Sequence, residues 1–435
     1  MNTTLNTATH IHCIGIGGIG LSAIARMFLL KGVTVSGSDM SPSRVTDELL
    51  RLGAHISFDQ DNSLVPATVD VVLYTIAIPD TNPELLGARA RGLTLMTYPE
   101  ALGFLSREHK TVAIAGTHGK TTTTAMTAEV LIACGLDPTV IVGSFLKNAA
   151  SNFIPGKSNL FVVEACEYRE SFAHLSPQIL VITNIEEDHL DYYKDIHEII
   201  RAFNKVASKV PKEGYIVANL DDKTTQAALH GVQATVCNYR DVLDTIEVSV
   251  PGEHNRENAA AALMVAKILE ADEGVARAAL NLFSGTWRRF EKKGETKSGT
   301  LVYDDYAHHP TEIKATLSAL RQLFPQKKVV AVFQPHLFSR TKFLLHDFAQ
   351  AFSDADDVLI LPIYKAREKD DGTITSARLV SEIQKHHDCV HESESNKEVL
   401  NHLRSLENND AEEIVLVTLG AGDVYKVGEL TLKEL

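Results

Sequence analysis

Two glycine-rich loops restrict the folds that are open to this sequence. The first, Gly15–Gly20, has the pattern G-x-G-x-x-G, and the second, Gly116–Thr122, contains Gly-Lys-Thr-Thr. Each loop lies between an apolar β-branched segment and an amphipathic segment of helical periodicity. A strand, a tight glycine turn and a helix in this order are typical of parallel α/β sheets. The loops therefore predict at least two α/β units, each with a helix N-terminus that can bind a phosphate group.

The remainder of the chain repeats this alternation of strands and helices. The sequence has 435 residues, which leaves room for about three domains of roughly 150 residues each. Polar Ser106–Lys110 marks one hinge, and a third run of alternating elements starts near Arg288. We therefore predict an α/β fold with mostly parallel sheets and three domains, at residues 1–106, 107–287 and 288–435.

Apolar β-branched runs and helical periodicity define the individual elements. The predicted strands are His12–Ile16, Thr34–Ser36, Val71–Thr75, Thr111–Ala115, Leu160–Val163, Ile179–Thr183, Thr300–Tyr303, Lys328–Phe333, Val358–Leu361 and Ile414–Thr418. The predicted helices are Ile19–Leu30, Pro99–Leu105, one beginning at Thr121, Asn258–Leu269, Glu312–Leu323, Phe343–Phe352 and Arg378–Lys385.

The charge and cysteine content argue against several classes of protein. The 56 acidic residues outnumber the 42 Lys and Arg residues, and a formal net charge of −14 disfavours binding to a nucleic-acid backbone. The five cysteines have no C-x-x-C spacing, so we expect neither a disulfide framework nor a structural zinc site, and a reducing cytoplasm fits. No apolar stretch approaches the roughly 18 residues that span a membrane.

The second glycine loop has the residues of a nucleotide-phosphate site. Lys120 can reach the β- and γ-phosphates of a nucleotide, and the Thr121 hydroxyl can bind Mg²⁺. Backbone N–H groups and the N-terminus of the following helix would face the phosphate oxygens. The generic motif has a glycine five residues before Gly119, where this sequence has Ile114. A purely structural turn is the alternative interpretation.

The first glycine loop indicates a second nucleotide. Asp39 ends the next predicted strand, roughly 20 residues after Gly20, where an acidic residue meets a ribose hydroxyl in dinucleotide-binding folds. NAD fits this pattern, but a UDP-sugar also presents a pyrophosphate and a ribose. Because the chain has two phosphate loops, we interpret them as sites for ATP and for a nucleotide-linked substrate. A structural glycine turn is again the alternative.

Polar residues beyond the loops are candidate metal ligands. Glu164 follows one buried strand and His189 follows another, so both would emerge at the carboxyl edge of a sheet. A carboxylate, the Thr121 hydroxyl and waters suit Mg²⁺, for which histidine is a less usual ligand. Hydrogen-bonded or solvated side chains are the alternative for both residues. We expect Glu186–Asp188 to form a solvated acidic face.

Two further segments are candidates for contacts with the nucleotide. His254 and Asn255 precede the predicted helix that starts at Asn258, where they can cap the helix or bind an adenine edge. Arg288 lies at the second predicted hinge, where it can contact a transferring phosphoryl group or remain on the surface.

Together these motifs resemble those of the Mur ligases. They occur in the family's order over nearly the whole chain, and jointly they are far more specific than either glycine loop. The segments are Gly15–Gly20, Ser36–Asp39, Gly116–Thr124, Glu164–Arg169, Thr183–His189, Pro251–Asn258, Arg288–Phe290, Asp304–Glu312, Phe333–Thr341 and Gly420–Asp423. They are most similar to the alanine-adding members, many of which have aspartates where this chain has Cys166 and Arg169. The Cys-Glu-Tyr-Arg version resembles the Gram-positive form.

The resemblance implies a fold and an activity. The expected domains are an N-terminal UDP-binding Rossmann-like domain, a central P-loop ATPase-like domain and a C-terminal Rossmann-like domain. The expected activity is a cytoplasmic, ATP-dependent ligation of L-alanine to UDP-N-acetylmuramate through an acyl phosphate, in peptidoglycan synthesis. Mg²⁺ is the expected metal. We expect a monomer or weak homodimer with no nucleic-acid or membrane partner.

The resemblance also implies roles for individual residues. The UDP-sugar residues would be Gly15, Gly17, Gly18, Ile19, Gly20, Ser38 and Asp39. The ATP residues would be Gly116, Thr117, His118, Gly119, Lys120, Thr121, Thr122, His254, Asn255, Asn258, Arg288 and Asp304. The metal ligands would be Thr121, Glu164 and His189, and the amino-acid residues would be Tyr306, His336 and Arg340. The catalytic set would be Lys120, Glu164, His189 and Arg340.

Three rival functions remain open from the sequence. A ligase that attaches a recycled tripeptide to the same sugar shares the fold and chemistry, although the length and Arg288-Arg289-Phe290 resemble the alanine enzyme more. An NAD-dependent oxidoreductase would leave the loop Gly116–Thr122 unexplained. A non-catalytic nucleotide-binding regulator would not need Glu164, His189 and Arg340 together.

Overall fold

The computed structural model describes residues 5–59, 61, 64–146, 151–366, 368–370, 372–409 and 413–435. The chain divides into two compact units. The first unit comprises Met1–Ile185, Ile200–Asp244 and Ala260–Leu280, and the second comprises Glu186–Ile199, Thr245–Ala259 and Asn281–Leu435. Within the described ranges, no helix is both long enough and apolar enough to cross a membrane.

The first unit begins with a five-stranded parallel sheet. Its strands are β1 (His10–Ile14), β2 (Thr34–Ser38), β3 (His55–Ser57), β4 (Val71–Tyr74) and β5 (Thr94–Thr97). Its helices are α1 (Ile19–Leu30), α2 (Arg44–Arg51), α3 (Pro83–Ala90) and α4 (Tyr98–Arg107). The strand order is β3-β2-β1-β4-β5. The order reverses beside β1, and ligands of doubly wound sheets bind at such a reversal.

The first unit also contains a seven-stranded sheet. Its strands are β6 (Lys110–Ala115), β7 (Thr139–Leu146), β8 (Ser151–Ile154), β9 (Leu160–Glu164), β10 (Ile179–Ile182), β11 (Tyr215–Ala218) and β12 (Thr235–Asn238). The order is β12-β11-β10-β6-β9-β7-β8, and the strands pair in parallel except for β7 with β8. Because β6 lies between β9 and β10, the loops after these three strands meet at one sheet edge.

Five helices and two 3₁₀ segments belong to the middle of the chain. The helices are α5 (Lys120–Ala133), α6 (Ile196–Ala207), α7 (Lys223–Ala228), α8 (Glu253–Ile268) and α9 (Glu273–Asn281). The 3₁₀ segments are Tyr168–His174 and Tyr239–Thr245.

The second unit contains a six-stranded sheet. Its strands are β13 (Glu291–Glu295), β14 (Leu301–Asp305), β15 (Lys328–Phe333), β16 (Asp357–Ile360), β17 (Val390–Glu392) and β18 (Ile414–Leu419). Its helices are α10 (Pro310–Leu323), α11 (Phe338–Phe343), α12 (Leu345–Ala349), α13 (Ser376–Ile383), α14 (Asn396–Asn409) and α15 (Tyr425–Glu434). The order is β13-β14-β18-β15-β16-β17, with only the β13–β14 pair antiparallel among the described strands.

The core of this sheet follows from its sequence. All residues of β18, Ile-Val-Leu-Val-Thr-Leu, are buried. Such continuous apolar runs are typical of parallel strands that are covered on both faces, because crossover helices pack on each side. Val330 and Leu416 of the sheet share one buried cluster with Val399 and Leu403 of α14. This packing fixes the strand ends from which the functional loops emerge.

The observed elements confirm an α/β class with mostly parallel sheets, with some corrections to the predicted bounds. The helix predicted at Phe343–Phe352 is confirmed only over α12, because Leu344, at φ −99° and ψ 19°, separates α12 from α11. Periodicity could not reveal this break, since Leu344 and Phe348 are both buried at helical spacing. The helix predicted to start at Asn258 begins at Glu253 instead. The domain boundaries drawn from the sequence stay a prediction.

Candidate active site

The second glycine loop follows β6, and its backbone has positive φ angles that favour glycine. Gly116 has φ +141°, and a Cβ atom there would lie 1.9 Å from the Thr183 hydroxyl oxygen. Gly119 has φ +80° and precedes α5 without a side-chain cap hydrogen bond, and the first turn of α5 contains no acidic residue. The partial positive charge of this helix N-terminus is therefore left for a ligand.

The loop after β10 holds the glycine loop in place. Asn184 accepts hydrogen bonds from two backbone N–H groups, from Thr117 at its carbonyl oxygen (3.0 Å) and from His118 at its side-chain oxygen (2.8 Å). The Thr183 hydroxyl donates to the His118 carbonyl oxygen at 2.5 Å. Thr122, which was also predicted to bind ATP, is buried at the start of α5.

Lys120 is folded back over its own loop. Its Nζ atom donates to the carbonyl oxygens of Gly116 (2.6 Å) and Thr117 (2.9 Å) and forms an ion pair of 2.9 Å with buried Glu167. Burial lowers the pKa of Lys120, but the neighbouring carboxylates of Glu167 and Glu164 raise it to a net value above the usual range. The lysine is thus a fixed positive charge.

Glu167 was not among the predicted site residues. It lies in the Glu164–Arg169 segment that carried part of the family resemblance, and that was its only signal in the sequence. In the same segment, Cys166 is exposed, and the neighbouring Glu167 carboxylate disfavours its thiolate form. Cys166 therefore stays neutral at physiological pH, and the negative charge beside Lys120 comes from Glu167.

Thr121 and Glu164 form an oxygen-rich corner next to the lysine. The Thr121 hydroxyl donates to Glu164 Oε2 at 3.0 Å, and the same oxygen accepts the Gly143 N–H at 2.8 Å. A Cβ atom at Gly143 would lie 2.5 Å from this oxygen, so the carboxylate needs a glycine opposite it. A hydroxyl and a carboxylate at this spacing are the donor types that Mg²⁺ prefers.

The first glycine loop follows β1 and is tied to the end of β2. The N–H groups of Gly15 (2.8 Å) and Ile16 (3.0 Å) donate to the Ser38 carbonyl oxygen, and the Gly17 N–H donates to Asp39 Oδ2 at 2.7 Å. A Cβ atom at Gly20 would lie 2.5 Å from the Tyr98 ring, so this position also needs a glycine. The loop thus brings the predicted residues together.

The N-terminus of α1 is open in the same way as that of α5. Gly18 precedes α1 without a side-chain cap hydrogen bond, and the first turn, which includes Ile19, contains no acidic residue. Ser38, by contrast, is fully buried and its hydroxyl donates to Glu84 at 2.6 Å. The geometry therefore favours a supporting role for the Ser38 side chain.

Arg340 and Asp188 form a buried ion pair in the second unit. Nε (3.1 Å) and Nη2 (2.8 Å) of Arg340 both donate to Asp188 Oδ1, while Nη1 lies 3.2 Å from Nδ1 of His336. Asp188 is only 7% exposed, so the predicted solvated acidic face is wrong at this residue. Burial raises the pKa of Asp188, but Arg340, His189 and His308 lower it to a value well below its usual range.

His189 lies next to this pair. Its backbone has φ +54°, and its N–H donates to Asp188 Oδ1 at 2.6 Å. The predicted metal residues therefore belong to different units, since Thr121 and Glu164 meet in the first unit and His189 belongs to the second.

Aromatic side chains collect at the carboxyl edge of the C-terminal sheet. Tyr306 follows β14, His336 follows β15 and Tyr364 follows β16. The rings of His336 and Tyr364 stack with centroids 5.7 Å apart, and His308 contacts both Tyr306 (5.4 Å) and His336 (6.1 Å). The guanidinium of Arg289 lies 5.0 Å from the Tyr306 ring centroid. Two of the predicted amino-acid residues thus share one edge with Arg340.

Arg288 and Asp304, both predicted to bind ATP, are bonded to each other inside the second unit. Arg288 is 3% exposed, and its Nε donates to Asp304 Oδ2 at 2.8 Å. Its other nitrogens donate to the carbonyl oxygens of Gly420 (2.6 Å) and Gly422 (2.8 Å). Because the guanidinium nitrogens of Arg288 are all bonded to groups of the protein, the geometry favours a structural role for the Arg288–Asp304 pair.

His254 and Asn255 lie in the first turn of α8, and Asn258 lies in the next. Asn255 is buried and donates to the Pro251 carbonyl oxygen at 2.7 Å, and the Asn258 amide lies 3.5 Å from Asn255 Oδ1. Burial lowers the pKa of His254 to about 4. A neutral imidazole can accept or donate one hydrogen bond, as an adenine edge requires, and it adds no charge.

His308 gives a testable dependence of stability on pH. Burial lowers its pKa to about 3, although Glu312 and Asp188 oppose this shift. Because the folded pKa lies below the usual 6.5, the unfolded chain takes up a proton that the folded chain does not. The contribution of His308 is therefore fully present above about pH 6.5 and is lost progressively as the pH falls toward 3.

We expect His308→Asn to reduce the loss of unfolding free energy between pH 7.5 and pH 5 by about 2 kcal/mol. The asparagine amide can replace the Nδ1 donor, which lies 3.0 Å from the Tyr306 carbonyl oxygen, but it cannot be protonated. Urea unfolding of both proteins at the two pH values measures the difference. An identical loss in wild type and variant would show that His308 is protonated in the folded protein.

Family comparisons cover nearly the whole chain. Residues 10–110 match the model described as Mur ligase family, catalytic domain, and residues 114–241 match the Mur ligase middle domain. Residues 288–422 match the model described as Mur ligase, glutamate ligase domain. The three matched regions support the three-domain fold that the resemblance implied.

Individual relatives and solved structures agree with these matches. The chain is 42% identical to a UDP-N-acetylmuramate–L-alanine ligase of Clostridium acetobutylicum, over 98% of this chain and 97% of that protein. It is 41% identical to the ligase of that name from Lachnospira eligens, over 98% and 99%. The structure of UDP-N-acetylmuramate–alanine ligase from Thermotoga maritima is similar with a TM-score of 0.80 and 27% identity, over 98% of both chains. The chain therefore belongs to the Mur ligase family.

Proposed function

We propose that this protein joins L-alanine to the lactyl carboxylate of UDP-N-acetylmuramate, with conversion of ATP to ADP and phosphate. The observation that carries the proposal is the 42% identity, over 98% of the chain, to a ligase with this name. Mur ligases are ATP-dependent, and the loop that bears Lys120 follows the middle-domain strand β6. The product would serve peptidoglycan precursor synthesis.

The chemistry explains why such a ligase needs ATP. A carboxylate does not react with an amine at neutral pH, because its carbonyl is unactivated and oxide is a very poor leaving group. Transfer of the γ-phosphoryl group to the carboxylate oxygen gives an acyl phosphate and ADP. The amine of L-alanine then attacks the carbonyl carbon, loses a proton, and expels phosphate as the amide forms.

The phosphate loop supplies the positive charge for the first step. Lys120 is positioned by Glu167 and by two loop carbonyls, so its ammonium group is held where the loop turns into α5. We propose that it neutralises charge on the transferring phosphoryl group, while the loop N–H groups and the N-terminus of α5 bind the other phosphate oxygens. His254, Asn255 and Asn258 are the proposed adenine contacts.

We propose that Mg²⁺ binds at the corner formed by Thr121 and Glu164. A hydroxyl oxygen and a carboxylate oxygen lie 3.0 Å apart there, and Gly143 leaves room for the carboxylate, so the donor set fits this ion. Bound there, Mg²⁺ would offset the negative charge of the ATP phosphates. His189 stays a proposed third ligand.

We expect Glu164→Gln to raise the Mg²⁺ concentration for half-maximal activity by about tenfold or more, because the substitution removes the charge but keeps the size of the side chain. His189→Ala should change the Mg²⁺ titration in the same direction. Glu170→Gln is the matched control, since Glu170 pairs with the exposed Lys205. Titration curves that match wild type for both Glu164→Gln and His189→Ala would remove these residues from the metal site.

The UDP-sugar is assigned to the first glycine loop. The open N-terminus of α1 suits its pyrophosphate, and Gly17 and Gly20 lie where a side chain would collide with Asp39 and Tyr98. Asp39 Oδ2 accepts the Gly17 N–H and Oδ1 accepts the Met40 N–H, so we propose that this carboxylate orders the loop that binds the UDP-sugar. Tyr306, His336 and Arg340 are the proposed residues for L-alanine.

One assay separates this function from its rivals. Phosphate release from ATP is measured with UDP-N-acetylmuramate and L-alanine together and with each omitted in turn. We expect release only when both are present. Turnover with a tripeptide but none with L-alanine would assign the protein to the recycling reaction. Oxidation of NADH without ADP formation would contradict a ligase altogether.

We place this reaction in the cytoplasm. All five cysteines are free thiols, which fits a reducing compartment, and ATP and UDP-linked precursors are made there. The net charge of −14 supports the expectation of no nucleic-acid partner. A monomer or weak homodimer remains the expected assembly, and sedimentation analysis of the full chain tests it.

A further inference from the structure

Two histidines and an aspartate lie close together in the second unit, and the proposed reaction uses none of the three. Asp357 is the first residue of β16, His391 is the middle residue of the edge strand β17, and His402 lies in α14. Their ligand atoms all lie within 4.8 Å of one another. We refer to these three residues as the His-Asp cluster.

The side chains of the cluster are arranged as metal ligands around a common point. Nε2 of His402 lies 2.8 Å from Asp357 Oδ2, and Nε2 of His391 lies 3.5 Å from Asp357 Oδ1. The two imidazole rings have centroids 5.0 Å apart and an angle of 47° between their planes. Both histidines thus direct the same ring nitrogen toward one carboxylate, each toward a different oxygen.

The aspartate is the unusual member of the cluster. Asp357 is 4% exposed, and its Oδ1 atom is buried without a hydrogen-bond partner among the described residues. A buried carboxylate oxygen without a partner destabilises a fold, because its hydration is lost and nothing replaces it. The His402 imidazole bonds to Oδ2, whereas Oδ1 faces the His391 imidazole at 3.5 Å, which is too long for a good hydrogen bond. A cation between the carboxylate and the two imidazoles would satisfy both oxygens.

We propose that Asp357, His391 and His402 bind a divalent transition-metal ion, with Zn²⁺ as the best fit. Two imidazoles and one carboxylate are typical zinc ligands, and a water completes the fourth position, whereas Mg²⁺ and Ca²⁺ prefer oxygen ligands alone. The His391 side chain is 49% exposed and that of His402 is 26% exposed, so an ion can enter from solvent.

The location gives this metal a structural role. Asp357 begins β16, whereas Tyr364 and the other residues of the candidate active site follow the carboxyl ends of their strands. The proposed ion therefore lies at the opposite edge of the sheet from the chemistry. It would link the edge strand β17 to α14, whose Val399 and Leu403 pack on the same sheet.

The test uses the metal-free full-length protein in excess Mg²⁺, which fills oxygen-ligand sites. Zn²⁺ is titrated by calorimetry into wild type, His391→Gln and His402→Gln, with His386→Gln as the matched control at an exposed histidine of the same unit. We expect wild type and the control to bind one more equivalent of Zn²⁺ than either cluster variant, or to bind it at least tenfold more tightly. Zn²⁺ should also raise the melting temperature of wild type and the control only.

A second measurement keeps the proposal testable if a cluster variant fails to fold. Co²⁺ added to wild type should give the intense visible absorption of a four-coordinate ion, and Zn²⁺ should displace it. Four matching Zn²⁺ isotherms would contradict the proposal. Absence of the Co²⁺ band in wild type would also contradict it, because the cluster would then be an ordinary ion pair.

Discussion

Lys120→Ala is expected to slow ATP-dependent ligation by about two to three decades, equivalent to about 3–4 kcal/mol of transition-state stabilisation. The Nζ atom of this lysine donates to the Gly116 and Thr117 carbonyl oxygens of the phosphate loop and to Glu167. Charge that develops on the transferring phosphoryl group would lose this neutralisation. Single-turnover formation of ADP measures the step directly.

The ion pair with Glu167 adds a second effect that must be separated from the first. Glu167 is 3% exposed, so removal of its partner leaves a buried carboxylate, and the folded state should lose about 3–5 kcal/mol. Glu167→Gln in the Lys120→Ala background removes that buried charge. We expect the double variant to recover stability in urea unfolding while its rate stays low.

These two variants distinguish catalysis from folding. A double variant with both wild-type stability and wild-type rate would show that Lys120 acts only through the fold. A Lys120→Ala enzyme within tenfold of the wild-type rate would show that the loop is a structural turn, which was the alternative interpretation from the sequence.

Local sequence signals account for most of the fold. Continuous apolar runs such as β18 predicted parallel strands, because only strands that are covered on both faces have such sequences. The glycines of the second loop predicted the phosphate site, and the positive φ angles of Gly116 and Gly119 show why side chains would be unfavourable there. The break at Leu344 was missed, since buried residues on both sides keep the helical period.

Long-range pairing was the part that the sequence could not provide. Asp188 lies in an acidic run and was predicted to be solvated. In the structure it is buried in an ion pair with Arg340, which is 152 residues away in the sequence. Glu167 was missed, and Arg288 was left between a phosphoryl contact and a surface position, because their partners Lys120 and Asp304 come from other elements. The polarity of a segment does not reveal which charged side chains will be buried together. Burial in turn determines whether a charged side chain can bind a ligand or only stabilises the fold.

The largest expected effect on substrate selectivity comes from Arg340. L-Alanine offers one carboxylate for recognition and a methyl group too small to supply much hydrophobic energy, so most of its binding must come from charge-assisted contacts. Nε and Nη2 of Arg340 hold Asp188 Oδ1, which fixes the guanidinium plane while Nη1 turns toward His336. The remaining N–H groups can bind a substrate carboxylate at this sheet edge, near the rings of His336 and Tyr306.

We expect Arg340→Lys to raise the KM for L-alanine at least tenfold, as for a loss of about 1.4 kcal/mol or more. Lysine keeps the positive charge for Asp188 but has no planar fork to bond the aspartate and a second carboxylate together. The KM for ATP should change much less. Asp188→Ala is the matched variant, since it keeps Arg340 but removes the oxygen that accepts its Nε and Nη2 hydrogen bonds, and it should raise the KM for L-alanine by a smaller factor.

The pattern of the two constants then decides the role of Arg340. Equal increases in KM for ATP and for L-alanine would place the guanidinium on the phosphates. Unchanged constants, with a lower melting temperature for both variants, would leave Arg340 as a structural partner of Asp188. Selective weakening of L-alanine is the result that requires the arginine to bind the amino acid, because an ion pair that served only the fold would not distinguish one substrate from another.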